Sequence, residues 1–313
     1  MKLVIIEPLG VEEELLLRMA REALGPEVEL TYYGNRTTDP AELIARGREA
    51  DVIAVSNLPL GAEVIAGFEK LRLLTVAFTG VDHIALEACR ARDIAVCNCA
   101  GYSTAAVADL VFGLLISLYR NICPCEQRCR SGGTKDGLIG FELEGKRFGV
   151  VGTGAIGSRV AAIARAFGCE VLAYSRTERP LEGVRYTDLD TLLSTCDIVS
   201  LHTPLNEQTR GLINAQRLAL MKPTAVLINT ARGPVVDSAA LAEALNRGAL
   251  GGACLDVFDI EPPLDPADPL LKAKNTLVTP HIAFATKEAL IKRAAILFEN
   301  VAAFRRGTPQ NCV

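Results

Sequence analysis

Apolar residues return along this chain in two rhythms. Short runs that are apolar almost throughout alternate with longer stretches in which apolar positions recur every three or four residues. The short runs suit strands covered on both faces and the longer ones suit amphipathic helices, so the alternation predicts parallel βαβ units. In the first third, strands are predicted over residues 3–6, 28–32, 51–55, 73–77 and 94–97, with helical patterns over 11–24, 40–48 and 84–91. A second series of strands is predicted over 147–151, 170–174, 198–202, 225–229, 252–255 and 276–278. A helical run over 103–122 and a polar, glycine-rich stretch over 129–140 join the two series. The last helical pattern, 287–305, has no strand after it and is free to pack back onto the first series. Two domains are therefore predicted: 1–99 plus 286–313, which is discontinuous, and 100–285.

Composition agrees with this plan. At 313 residues the chain is too long for one core. It is 50% hydrophobic and 22% charged, as a globular protein is. A net charge of −4 argues against a nucleic-acid surface, which needs a clustered basic excess. No apolar run reaches membrane-spanning length, and the stretch after Met1 is too short for a signal peptide, so it reads as a first buried strand. The ten cysteines are scattered, which suits reduced thiols in the cytoplasm. Cys123, Cys125 and Cys129 cluster, but no second pair follows to complete a metal site, and no metal is expected.

The segment from Phe148 to Gly157 is an apolar strand running into Gly152-Thr153-Gly154-Ala155-Ile156-Gly157, followed by a helical pattern over 158–167. In a Gly-x-Gly-x-x-Gly turn the first glycine allows the tight turn, the second admits a pyrophosphate and the third lets helix and strand pack closely. The helix N-terminus then faces the phosphates. Bare, the pattern is often only a glycine-rich turn; between strand and helix it points to a dinucleotide. The next strand ends Tyr174-Ser175-Arg176-Thr177, without the acid that would bind an NAD ribose. A hydroxyl and a guanidinium suit a 2′-phosphate, which favours NADP over NAD, although Arg176 stacked on adenine would serve either.

Three further segments follow predicted strands of the second series: Asn229-Thr230-Ala231-Arg232-Gly233, Leu255-Asp256 through Glu261-Pro262-Pro263, and Thr279-Pro280-His281. Reducing a 2-oxo acid requires a carboxylate clamp, a proton donor for the developing alkoxide, and a group that holds that donor charged. An arginine, a histidine and a glutamate meet those needs. Singly, each has a bland reading: a solvated charge, a structural histidine, a turn.

Taken together, and with Leu201-His202-Thr203-Pro204-Leu205, these segments resemble the D-isomer-specific 2-hydroxyacid dehydrogenases over nearly the whole chain. The resemblance implies an α/β fold with a Rossmann-type dinucleotide-binding domain and a flavodoxin-like substrate domain. It implies Arg232 as binder of the substrate carboxylate and carbonyl, His281 as general acid/base and Glu261 as its charge partner. Thr79 and Gly80, in Ala77-Phe78-Thr79-Gly80-Val81-Asp82, match the loop whose backbone N–H groups receive the substrate carboxylate. Cofactor contacts are implied for Thr104, Gly152, Gly154, Ala155, Ile156, Gly157, Ser175, Arg176, Thr177, Thr203, Pro204, Thr209, Thr230, Ala231 and Asp256. The helix after Gly101-Tyr102-Ser103-Thr104 matches one that builds a homodimer.

Members that act on phosphoglycerate carry an arginine after the third strand, where this chain reads Ser56-Asn57-Leu58-Pro59-Leu60. That departure argues against 3-phosphoglycerate and toward glyoxylate, hydroxypyruvate or a similar small acid. Phe78 and Tyr102 either narrow the pocket or are core aromatics. Two other readings stay open: a non-catalytic dinucleotide sensor on the same fold, and a formate-type dehydrogenase, which the Glu261–His281 pairing disfavours.

Overall fold

The computed structural model describes residues 1–261 and 263–313, so Pro262 of the Glu261-Pro262-Pro263 segment lies outside the described residues. The chain divides into two compact units, Met1–Ser103 with Ala285–Val313, and Thr104–Phe284. In the first, β1 (Lys2–Ile5), α1 (Glu13–Leu24), β2 (Glu29–Tyr32), α2 (Pro40–Gly47), β3 (Val52–Val55), α3 (Ala62–Gly67), β4 (Leu73–Val76), α4 (Leu86–Arg90) and β5 (Ala95–Asn98) follow in order. The second runs through α5 (Thr104–Tyr119), α6 (Ile122–Arg130), β6 (Arg147–Val151), α7 (Ala155–Ala166), β7 (Glu170–Tyr174), β8 (Val184–Tyr186), α8 (Leu189–Thr195), β9 (Ile198–Leu201), α9 (Ala215–Leu218), β10 (Val226–Asn229), α10 (Ser238–Asn246), β11 (Gly252–Leu255) and β12 (Thr276–Val278). The chain then returns to the first unit through α11 (Lys287–Arg305).

Both sheets are parallel. The first has the order β2-β1-β3-β4-β5, the flavodoxin-like arrangement. The second has the order β12-β11-β10-β9-β6-β7-β8, a doubly wound sheet whose order reverses between β6 and β9. Its central strands are buried on both faces because side chains alternate. Val150, Ile198, Val226, Ile228 and Cys254 enter the core under α5 and α7. Val151, Val199, Leu201, Leu227, Ala253 and Leu255 enter the opposite core, with Leu192 and Leu193 of α8 and Leu241 and Leu245 of α10. Helix starts follow side-chain chemistry: Asp39, Asp188, Asp237 and Thr286 each accept a backbone N–H of the first turn.

Three local expectations change. The helical run over 103–122 ends at Tyr119, and the chain turns by 59° into α6. Asn121 makes the turn in the left-handed region (φ 52), which an asparagine tolerates better than most side chains. Helix α6 buries none of its residues and carries all three clustered cysteines, so Cys129 lies in a helix and not in the polar stretch. Among the described residues no cluster of potential metal ligands occurs. Strand β8 was not expected; three residues, none of them fully buried, give no readable period.

Helix α11 packs against α1 and β4, and its Leu297, Phe298 and Val301 are fully buried. Truncating Phe298 to alanine leaves a cavity in that core and should destabilise the first unit by about 3–5 kcal/mol, read as a lower urea midpoint. An unchanged midpoint would mean that α11 adds little to this core.

Candidate active site

Four adjacent strands of the second sheet, β9, β10, β11 and β12, end level with one another, with Asn229 paired to both Leu201 and Leu255, and Leu255 paired to Val278. Residues just beyond these ends are thus gathered at one rim, where open α/β sheets bind ligands. Asp256 follows β11 and is wholly buried. Its Oδ1 accepts from Thr279 Oγ1 (2.5 Å) and Ile282 N (2.8 Å), and its Oδ2 accepts from Ala283 N (2.8 Å). Burial raises the Asp256 carboxyl above its ordinary value, opposed by these hydrogen bonds and by the nearby charge of His281. The Asp256 carbonyl accepts from His281 N at 2.8 Å.

This grip matters because His281 sits in the left-handed region (φ 55), a conformation that costs free energy for any residue with a Cβ. His281 Nδ1 lies 2.8 Å from Glu261 Oε1, with the two side chains only 25% and 14% exposed. Phe284 packs edge-on against the imidazole, ring centroids 5.6 Å apart. The second carboxylate oxygen of Glu261 is buried without a hydrogen-bond partner, so the imidazole is its anchor. Arg232 is held from the backbone: Asn229 Oδ1 accepts from Ala231 N (3.0 Å), and Asn229 Nδ2 donates to the Arg232 carbonyl (2.9 Å). The next residue must be glycine. A Cβ on Gly233 would stand 2.1 Å from the Phe258 carbonyl, so the Arg232 turn lies directly on the segment leading to Glu261.

The other two histidines do other work. Burial pushes the His202 imidazole down to about 3, so it stays neutral, with Nε2 2.9 Å from Ser200 Oγ. His83 Nε2 donates to the Ser56 carbonyl at 3.0 Å in the first unit.

The dinucleotide motif has the shape its glycines imply. Gly152 has φ 96, and a Cβ on Gly157 would lie 1.9 Å from the Gly152 carbonyl oxygen. Gly154 is the N-cap of α7 and brings no side chain to accept a hydrogen bond; a Cβ there would meet nothing within 4 Å. The helix therefore begins at Ala155, inside the motif, three residues before the expected start, and the first-turn amides stand over open space. The Oγ1 atoms of Thr203 and Thr230 are buried and lack partners. A buried unpaired hydroxyl costs about 1–3 kcal/mol, and both lie just past strand ends at this rim. Uncapped amides, room above Gly154 and two waiting hydroxyls fit a dinucleotide. Thr209 closes its own loop, donating to the Pro204 carbonyl at 2.6 Å. Ser175 is half-buried, Arg176 and Thr177 are exposed, and Arg176 forms no ion pair among the described residues. Thr104 opens α5.

One residue of this region is invisible in the sequence pattern. Tyr186, on the unexpected β8, donates to the Arg179 carbonyl (2.7 Å), accepts from Arg179 N (3.2 Å) and lies 3.1 Å from Thr153 Oγ1. It ties the loop after β7 to the glycine turn. Only the fold brings these segments together.

In the first unit, Thr79 and Gly80 follow β4, and the Thr79 carbonyl accepts from Asn98 Nδ2 at 2.8 Å. Phe78 and Tyr102 are both buried, 6.2 Å apart, with the Arg293 guanidinium over both rings. Glu7, after β1, is also buried, and its Oε1 accepts from Ser56 N (2.8 Å) and Leu58 N (3.0 Å). Burial raises the Glu7 carboxyl, opposed by Arg36, whose Nη1 donates to Asn57 Oδ1 at 2.8 Å.

Replacing Asp256 by asparagine turns an amide N–H toward the Ala283 or the Ile282 N–H. The unmet donor should cost about 1–3 kcal/mol. Loosening of the His281 turn should lower turnover on the order of 10²-fold. Wild-type turnover in this variant would show that Asp256 does not set the histidine.

Comparison with known proteins identifies the arrangement. Residues 112–283 match the model of the D-isomer specific 2-hydroxyacid dehydrogenase NAD-binding domain. The glyoxylate reductase of Thermococcus litoralis is 39% identical over 285 residues, 87% of this chain and 86% of that protein. The glycerate dehydrogenase of Methylorubrum extorquens is 38% identical over 287 residues, 88% of this chain and 90% of that one. Among solved structures, an acyclic imino acid reductase in complex with NADPH and D-Arg superposes with a TM-score of 0.91 at 30% identity, each chain fully covered. The chain belongs to the D-isomer specific 2-hydroxyacid dehydrogenases, NAD(P)-dependent oxidoreductases that move a hydride to or from C2 of a small 2-hydroxy or 2-oxo acid.

Proposed function

We propose that this chain reduces glyoxylate, hydroxypyruvate or a similarly small 2-oxo acid, with NADPH preferred over NADH, as a cytoplasmic homodimer. The observation that carries the reading is the Glu261–His281 pair at 2.8 Å, set in a turn fixed by Asp256 beside the Arg232 turn. When bound, the dihydronicotinamide supplies the hydride. Arg232 grips the substrate carboxylate and carbonyl; its planar fork offers two parallel donors and keeps its charge. In this reading backbone N–H groups of Thr79 and Gly80 also contribute to binding the substrate carboxylate. With Nδ1 held by Glu261, His281 Nε2 gives its proton to the carbonyl oxygen as the alkoxide develops, and takes it back in the oxidative direction. Thr104, Ala155, Ile156, Thr203, Pro204, Thr209, Thr230, Ala231 and Asp256 complete the cofactor contacts in this reading, residues 100–285 being the dinucleotide domain and the rest the substrate domain.

The cofactor preference is supported by the absent acid after β7 and the exposed Arg176. The dimer is supported by large apolar side chains displayed on and beyond α6: Ile122 is 47% exposed, Phe141 63% and Ile139 76%. The cytoplasmic assignment is supported by ten free cysteines; no single described helix is long and apolar enough to cross a membrane. One observation favours a second substrate. Arg36 brings a guanidinium onto Asn57, in the loop where phosphoglycerate-specific members carry their arginine. Glu7 Oε2, 3.7 Å from Arg36, offsets that charge, and the smaller acids remain the preferred reading.

A spectrophotometric panel of glyoxylate, hydroxypyruvate and 3-phosphohydroxypyruvate with each cofactor tests the assignment. No turnover of any would favour a dinucleotide sensor. His281→Ala should slow single-turnover reduction by roughly 10²- to 10⁴-fold while leaving dinucleotide binding intact. Glu261→Gln removes the carboxylate that holds Nδ1, so kcat should fall on the order of 10-fold or more while KM for the dinucleotide holds. An unchanged kcat would detach Glu261 from the proton donor. Arg176→Ala should raise KM for NADPH far more than for NADH, whereas equal changes would mean that Arg176 only stacks on adenine.

A further inference from the structure

The segment after α11 closes on an open edge of the five-stranded sheet. β5 is an end strand, and Asn98 N donates to the Asn311 carbonyl (2.9 Å) while Val313 N donates to the Val96 carbonyl (3.0 Å). These bonds flank an antiparallel bridge between Cys97 and Cys312, which makes the two cysteines a non-hydrogen-bonded pair. Such pairs hold their Cα atoms about 4.5 Å apart, inside the roughly 4.4–6.8 Å that a disulfide spans. The sulfurs stand 3.5 Å apart. Closing to bonding distance takes about 1.5 Å, within reach of small side-chain rotations.

The surroundings select this pair. Cys312 is exposed and Cys97 buried, so one sulfur meets solvent while the other waits behind it. Cys99 is also buried, but the antiparallel bridge sets Cys97, and not Cys99, opposite Cys312. A chain of amides runs inward from the same segment. Asn311 Nδ2 donates to Asn300 Oδ1 (2.7 Å), Asn300 Nδ2 to the Asn98 carbonyl (2.8 Å), and Asn98 Nδ2 to the Thr79 carbonyl (2.8 Å).

We propose that Cys97 and Cys312 form a redox pair that oxidises by exchange with a low-molecular-weight disulfide, locking the tail to β5 and stiffening the loop that carries Thr79. The Cys312 thiolate attacks one sulfur of the small disulfide, forming a mixed disulfide and expelling one small thiolate. The Cys97 thiolate then attacks Cys312 Sγ, the Cys97–Cys312 bond forms and the second small thiolate leaves. Two protein thiols are oxidised, one small disulfide is reduced to two thiols, and the two protein protons end on those thiols.

The reduced full-length chain, incubated with glutathione disulfide, should lose two of its ten titratable thiols and yield one linked peptide joining Cys97 to Cys312. Cys97→Ser should instead retain one glutathione on Cys312, and Cys312→Ser should form neither product. Amide exchange at Asn98 and Val313 should slow at least tenfold on oxidation. A linkage through Cys123, Cys125 or Cys129 in its place, or ten thiols remaining, would overturn the pairing. The effect on the Thr79 loop rests on the function proposed above: reduction should raise KM for glyoxylate at least twofold in the wild type and leave Cys312→Ser unmoved. A linked peptide with unchanged KM would refute the coupling. Absence of any 2-oxo acid turnover would refute the function while the peptide linkage still decides the disulfide.

Discussion

Asp256 receives three hydrogen bonds from the five-residue stretch between Thr279 and Ala283, and its own carbonyl receives a fourth from His281. A carboxylate so deep in the protein survives only because those donors surround it, and the turn survives only because the carboxylate is there. The left-handed backbone at His281 is affordable for that reason. Remove the acceptor and the turn would relax, carrying the imidazole away from Glu261. The geometry of His281 is thus set by a residue that is itself fully enclosed.

The parallel sheet explains why so few local interactions suffice. Parallel pairing places the ends of β9, β10, β11 and β12 side by side, so residues distant in sequence arrive at one rim without a dedicated scaffold. Asn229 and Asp256 then act as short crosslinks between neighbouring turns. Gly233 removes the last obstacle by letting two backbones touch. Precision at the site comes from strand register, fixed by cores on both faces.

Much of this was readable from the sequence, for identifiable reasons. Strands β6, β7 and β11 fall where predicted because their interior positions form short apolar runs, and the partly buried β12 still carries one at Leu277 and Val278. The glycine turn and the Arg232, Glu261 and His281 segments are contiguous in sequence, so pattern and resemblance find them. What stayed hidden depends on contacts between distant segments. Tyr186 lies on a short edge strand with no period, and its partners Thr153 and Arg179 are set by folding alone. The bend at Asn121 was missed because a single left-handed residue leaves hydropathy unchanged. The link between Glu7 and the loop at Ser56 joins residues 49 apart, beyond any local signal.

Helix α7 begins at a glycine that has no side chain with which to close its own first turn. In most helices a serine or aspartate performs that task. Here the first-turn amides have no side-chain cap, and the buried hydroxyls of Thr203 and Thr230 lack partners among the described residues. A dinucleotide bound by these groups, as the proposed function has it, would complete that first turn. A ligand that binds only the folded form adds about 2.7 kcal/mol of stability at a hundred times its dissociation constant. Under the proposed function, nucleotide binding is then coupled to the folding equilibrium of the domain that takes it.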